Sequence, residues 1–213
     1  GTTIDGASFR ALLKFHMGMS LIDQPTKCPE LHCNAMLDTF GAHALSCSKA
    51  SGGIDKHNSI VNGIFTSLKK VHVNCSVEAP NPFSQTRQRP GDIFIPAFDK
   101  FGDAYFDVSV INTLCPSYIK ESAKGVLAGS AIRFSRQKKD KFKTLGKQFK
   151  PLVVESTGGW HPSSMDHLKA IANLISTRCL QSFPDVLNRI LTIASFSLQR
   201  HQGAMLVRRC NVV

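Results

Sequence analysis

Apolar residues recur at helical spacing near the start of the chain. In SFRALLKFHMGMSL, the residues Phe9, Leu12, Leu13, Phe15, Met17 and Met19 predict a short amphipathic helix. The period disappears over residues 27–50, which are rich in Cys, His and small residues and read as a loop-rich module. It returns in DKHNSIVNGIFTSLKKV, where His57, Val61, Ile64 and Leu68 share one helical face. Asp55 is the predicted N-cap there, and Lys69 and Lys70 suit the negative end of the helix dipole. The pattern then turns strand-like: a strand over 71–78, a loop rich in Pro, Gln and Arg over 79–90, and then GDIFIPAF and DAYFDVSVI, an antiparallel hairpin turning at DKFG. A helix over 121–143 carries Val126, Leu127, Ile132 and Phe134 among many cations. PLVVES is a short buried-type strand, TGGWHP breaks the chain, and SSMDHLKAIANLISTRCLQSF and DVLNRILTIASFSLQR are closing helices. The order predicts an α/β fold with a small mixed β-sheet flanked by helices. Its organisation is an N-terminal helix and cysteine module over residues 1–50, followed by a larger core over 51–213.

Charge narrows the function classes. Lys and Arg number 26 against 15 Asp and Glu, a net charge of +11, which favours polyanionic partners, DNA or RNA first. No stretch approaches the roughly 18 apolar residues that a membrane span requires. The first residues lack both an initiator Met and the apolar core of a secretion signal, so the chain reads as an excised fragment. Seven cysteines, an odd number without a dense framework, point to a reducing compartment.

Four of the potential metal ligands stand together. Cys28, Cys33, His43 and Cys47 are spaced C-x4-C-x9-H-x3-C, and three thiolates with one imidazole make the closed tetrahedral set of a structural zinc site. Gly41 permits a tight turn before His43, and His32 and His57 are substitute ligands. The bland alternative is a set of buried thiols beside a casual histidine.

The scarce carboxylates form a second group. Glu78 ends one predicted strand, Asp92 begins the next and Asp107 lies in the third, on the face shared with Ser109 and Ile111. That face is expected to open to a cleft, while Phe106, Val108 and Val110 line the core. Clustered carboxylates repel, and a hard cation such as Mg²⁺ or Mn²⁺ relieves the repulsion. Beside a phosphodiester, such an ion activates water and stabilises charge. The Val108 carbonyl is a further potential ligand. In RFSRQKKDKFK, Lys138 and Lys141 share a helical face, and either can orient a water. The bland alternative is that Asp92 caps a turn and Asp107 pairs with an Arg. Arg87, Arg89, Arg133, Arg136 and Lys139 are expected contacts for the nucleic-acid backbone.

RPGDIFIP followed by YFDVSV and a helix-borne Lys resembles the PD-(D/E)XK restriction-like nuclease core. The ordered set CPELHC, FGAHALSC, KHNSIV, RPGDI, FDVSV, KKDKF and PLVVESTGG is more similar still to one group. It resembles the C-terminal zinc-knuckle and restriction-like endonuclease region of site-specific non-LTR retrotransposon proteins, over roughly residues 8–160. The resemblance implies a DNA endonuclease that nicks its target and leaves a 3′-hydroxyl to prime reverse transcription. It also implies an upstream reverse transcriptase domain in the same polyprotein, DNA and element RNA as partners, and a nuclear location. By the same resemblance, Asp92 matches the Asp of the PD pair and Asp107 the first acid of the triplet. Glu78 would be an extra acid, and Glu155 a second-tier contact. His57 either serves the core or a cap, or lies near the metal. The chain departs from the pattern twice. Gly91 separates Pro90 from Asp92, and Ser109 stands where the triplet has Lys, so the cation would come from Lys138 or Lys141. The competing class is a non-catalytic module in which the zinc knuckle and basic helices hold nucleic acid over a degenerate core.

Overall fold

The computed structural model describes residues 3–49, 52–78, 90–125 and 128–211. The elements are α1 (Gly6–His16), β1 (Thr26–Lys27), β2 (Met36–Leu37), α2 (Ala42–Ser46), α3 (Gly52–Lys69), β3 (Ser76–Val77), β4 (Ile93–Asp99), β5 (Gly102–Ile111), α4 (Ile119–Ser122), α5 (Gly129–Lys141), a 3-10 segment (Lys143–Gln148), β6 (Phe149–Glu155), α6 (Pro162–Cys179) and α7 (Phe183–Cys210). The chain is a mixed α/β protein with a four-stranded sheet, ordered β3-β4-β5-β6, and a two-stranded β1-β2 hairpin.

The sheet is antiparallel from β3 to β5. β6 then joins parallel in an unbroken register, from Tyr105 opposite Phe149 to Ile111 opposite Glu155. A parallel neighbour requires a crossover, and here it passes through α4 and α5. The hairpin turns where the sequence predicts, because Gly102 adopts φ +94°, which favours glycine. Pro96, which cannot donate to a ladder, sits in the stretch where the β4/β5 register shifts.

Phe106, Val108, Leu152 and Val154 pack on one side of the sheet against α3, α6 and α7. On the other side, Ile111 and Val153 meet Ala128, just before α5, and Ala131 of α5, while Tyr105 and Phe149 meet Phe142 and Leu145. Asp107 and Ser109 lie between these two apolar patches and are themselves buried. The face expected to open to a cleft is therefore covered, and α5 covers it.

Several predicted elements are shorter or longer than expected, each for a local reason. The strand over 71–78 shrinks to Ser76–Val77; Val73 and Cys75 reach the core through a turn in which His72 has φ +55°, without ladder pairing. The helix over 121–143 divides into α4 and α5, with Gly125 at φ +69° and Ala128 at φ +56° between them; Val126 and Leu127 lie outside the described residues. α3 begins at Gly52, so Asp55 lies in its first turn and complements the dipole there without being the cap. α1 stops at His16 and buries Ala11, Leu12 and Phe15, leaving Phe9, Leu13, Met17 and Met19 exposed.

α7 continues ten residues past the predicted end at 200. A Cβ on Gly203 would lie 2.8 Å from the Ser8 Cβ and 3.0 Å from the Ser8 carbonyl oxygen, so this glycine allows α1 and α7 to touch. The helix ties two cores together. Val186, Ile190, Ala194 and Leu198 belong to the sheet core, whereas Met205, Leu206 and Cys210 pack with α1 and the cysteine module.

Burial in α6 lowers the His167 imidazole to about 4, with Lys150 and Lys139 acting in the same direction and Asp166 opposing. The unfolded chain takes up this proton first, so its contribution to stability is intact above pH 6.5 and is lost as pH falls from 6.5 towards 4. Between pH 7.5 and pH 5 the loss amounts to about 2 kcal/mol. His167→Leu is expected to lose that much less stability than the parent chain over this interval, measured by urea unfolding at both pH values. Equal losses in the two proteins would contradict the assignment.

Candidate functional site

The cysteine module is built by short-range backbone bonds. β1 and β2 pair antiparallel, and the Cys28 N–H donates to the Ala35 carbonyl at 3.0 Å. The Cys33 N–H donates to the Glu30 carbonyl at 3.0 Å, closing the loop that brings the first two sulfurs together. Asp38 accepts the N–H groups of Phe40, Ala42 and His43 at 3.0, 3.0 and 2.7 Å, which seats the start of α2. Gly41, at φ +79°, has Leu21 and Leu206 carbons at 2.6 and 2.8 Å from where a Cβ would stand. α2 then presents His43, and Cys47 follows at its end.

The four ligand atoms lie within 4.8 Å of one another. Sulfur separations are 3.8 Å for Cys28–Cys47 and 3.6 Å for Cys33–Cys47, and the His43 Nε2 is 3.4 Å from the Cys33 sulfur. A tetrahedral ion with bonds of about 2.3 Å to sulfur requires edges of about 3.8 Å, so the cluster can hold a zinc ion. Burial pushes the Cys28 thiol up to about 11, and a central cation would reverse that penalty. His32 is exposed at φ +62° and His57 lies elsewhere, so neither substitutes in this cluster. Arg209, buried on α7, donates through Nε to Glu30 at 2.9 Å and through Nη1 to the Ala44 carbonyl. It thereby clamps the cysteine loop to α2, a role the sequence pattern did not reveal.

The second group gathers at the β4/β5 junction. The Asp92 N–H donates to the Phe106 carbonyl at 2.7 Å. A Cβ on Gly91 would meet that same carbonyl oxygen at 2.8 Å, so glycine lets the Pro-Gly-Asp segment lie directly on β5. The Asp92 Oδ2 accepts the Val108 N–H at 2.6 Å and faces the His57 Nε2 at 3.0 Å. Asp107 receives the Lys138 Nζ at 3.1 and 3.0 Å on its two oxygens, and the Ser109 hydroxyl donates to Oδ2 at 3.1 Å. Burial pushes the Asp107 carboxyl above its ordinary value, Lys138 pulls it down, and the charge of Asp92 pushes it up again. The His57 imidazole is held above its usual value, first by its hydrogen bond to Asp92.

The other predicted residues divide. Lys138 is the lysine at the carboxylates, whereas Lys141 is exposed and rests over the Phe142 ring at 5.1 Å. Glu78 is exposed at φ +52°, and its N–H donates to the Asp92 carbonyl at 3.0 Å. Among the described residues, the cysteine cluster is the only group of three or more His, Cys, Asp or Glu with ligand atoms this close, so the Glu78 carboxylate does not join the two aspartates in one. Glu155 is buried and accepts the Ala131 N–H at 3.2 Å, capping the start of α5. Arg133 donates to the Ser117 carbonyl at 2.9 Å and lies over Tyr118; Arg136 and Lys139 are exposed on α5. Arg87 and Arg89 lie outside the described residues.

No protein-family model matches this chain, and the curated proteins contain no match to it.

Two measurements check the construction of these sites. Protein purified without chelators is expected to carry one zinc per chain by atomic emission, and Cys47→Ser to lose it together with about 10 °C or more in Tm. A zinc-free chain with unchanged Tm would rule out a structural ion. Gly91→Ala is expected to cost about 1–3 kcal/mol in urea unfolding through overpacking against the β5 backbone, and a neutral outcome would count against the close approach.

Proposed function

We propose that the chain is a metal-dependent DNA endonuclease domain with a restriction-like core and an attached structural zinc module. It belongs, on this reading, to the C-terminal region of a non-LTR retrotransposon protein. The observation that carries the reading is the convergence of Asp92, just before β4, with Asp107 of β5 and Lys138 of α5. Two carboxylates that raise each other's energy, with one cation beside them, form a donor set suited to Mg²⁺ or Mn²⁺.

Asp92 and Asp107 would hold the ion. A divalent cation bound there supplies charge neutralisation at a phosphodiester and lowers the pKa of water. Lys138 contributes an ammonium that can orient a water or balance charge developing on phosphate, once Asp107 exchanges its partner. Ser109, in the place of the triplet Lys, holds the Asp107 Oδ2 and leaves the cationic role to α5. The exposed Arg136 and Lys139 on the same helix would meet the phosphate backbone, giving affinity that falls with salt and carries little sequence information. Nicking of target DNA would supply the 3′-hydroxyl for a reverse transcriptase domain upstream in the same polyprotein, with element RNA as a further partner, in the nucleus.

Supercoiled plasmid tests this. The zinc-loaded domain is expected to nick in Mg²⁺ or Mn²⁺ and not when the divalent ion is omitted; omission is preferable to a chelator, which would also attack the cysteine cluster. Asp107→Ala and Lys138→Ala are each expected to reduce nicking by roughly 10²-fold or more while leaving salt-sensitive DNA binding in place. Binding without nicking in the parent protein would replace this reading with a non-catalytic nucleic-acid module.

A further inference from the structure

His57 reaches the aspartates from a layer the proposed chemistry does not otherwise use. It stands on α3, on the opposite side of the sheet from Lys138, and is separated from Asp92 by 35 residues of sequence. Its Nε2 lies 3.0 Å from the Asp92 Oδ2, the oxygen that also accepts the Val108 N–H at 2.6 Å. Both donors therefore converge on one oxygen. The Asp92 Oδ1 has no hydrogen-bond partner among the described residues. The ring is itself held, with Nδ1 3.1 Å from the Asn58 side-chain oxygen.

A carboxylate at the start of a strand rotates readily about its χ angles, and a metal ligand that rotates costs affinity. Two donors fixed by different elements, a β5 backbone amide and an α3 imidazole, define one orientation of the Asp92 carboxylate plane. In that orientation Oδ2 is occupied by protein donors, and Oδ1 accepts from none of the described residues.

We propose that His57 is a positioning residue that locks Asp92 through Oδ2 and so presents Oδ1 to a divalent cation. This rests on the nuclease reading above, in which Asp92 is a metal ligand. His57 contacts neither the ion nor DNA in this arrangement. It acts only through Asp92, as outer partners of ligating groups commonly do at a cost of about 10- to 100-fold in metal affinity when removed.

The test is Mn²⁺ binding to the zinc-loaded protein, read from the loss of the free-ion electron paramagnetic resonance signal, beside a nicking titration in Mn²⁺. For His57→Ala we expect a dissociation constant for Mn²⁺ raised about 10- to 100-fold, with the nicking titration shifted by the same factor and its plateau at saturating Mn²⁺ close to that of the parent. His57→Gln keeps an N–H donor and is expected to recover most of the affinity. Circular dichroism and Tm of both variants establish that they fold. If His57→Ala is unfolded, His57→Gln carries the comparison: near-parent affinity supports the proposal, and affinity reduced 10-fold or more in a folded protein overturns it. Parent-like Mn²⁺ affinity in folded His57→Ala overturns the positioning role and leaves the nuclease reading intact. So does a lowered plateau at unchanged affinity. A parent protein that loses no Mn²⁺ affinity on Asp107→Ala, or binds none at all, removes the metal from the carboxylates and overturns both.

Discussion

Two aspartates held side by side at the β4/β5 junction are the constraint from which the local structure follows. Each raises the energy of the other's charge, and Asp107 is buried as well. The fold meets this repulsion with donors from every neighbouring layer: Lys138 from α5, His57 from α3, the Val108 N–H and the Ser109 hydroxyl from β5. Only part of this set comes from the hairpin itself. A hairpin alone supplies the acids and one amide; the parallel β6 and its crossover are what bring α5 over Asp107. A buried ion pair is a poor stabiliser, because apolar residues of similar volume commonly do as well, whereas removing one partner costs about 3–5 kcal/mol. The Asp107–Lys138 pair is therefore no strong brace for the fold, although losing either partner would be costly.

The regularities legible in the sequence were those whose cause is local. The clustered cysteines and His43 span only residues 28–47, so loop spacing alone picks them out, and their ligand atoms gather within 4.8 Å. The β4/β5 hairpin was equally legible, since alternation and Gly102 both act within a few residues. The choice between Lys138 and Lys141 was open, because both lie on α5 and only packing against β5 separates them. Spacing alone puts His57 on the apolar face of its helix. Its partner lies too far along the chain for spacing to reveal.

The misread elements share another cause: apolar or small residues serving tertiary contacts in place of regular structure. Val71, Val73 and Cys75 alternate like a strand, yet Val73 and Cys75 are buried by a turn after α3. The last helix runs on past residue 200, where Gly203 leaves Ser8 of α1 the space that a side chain would fill. The charge of Glu155 suggests a contact with the carboxylate group, but its carboxylate is used by the backbone of α5. In each case the competing signal was a contact across the fold, which neither periodicity nor turn chemistry encodes.

The cysteine module and the carboxylate pair are joined through β5. Just past the end of that strand, Asn112 donates to the Ala42 carbonyl at 2.8 Å, at the first residue of the helix that carries His43. Its side-chain oxygen accepts the Leu114 N–H at 3.0 Å, fixing the turn out of the strand. Asp107 lies five residues earlier on the same strand, held in register by β6. An ion in the cysteine cluster would order α2, and α2 holds the end of the strand that carries Asp107. The short ligand spacing, Asn112 and the continuous β5/β6 ladder thus form one mechanical path from the cysteines to the carboxylates. A module appended in sequence is, in the fold, a support for the strand that carries Asp107.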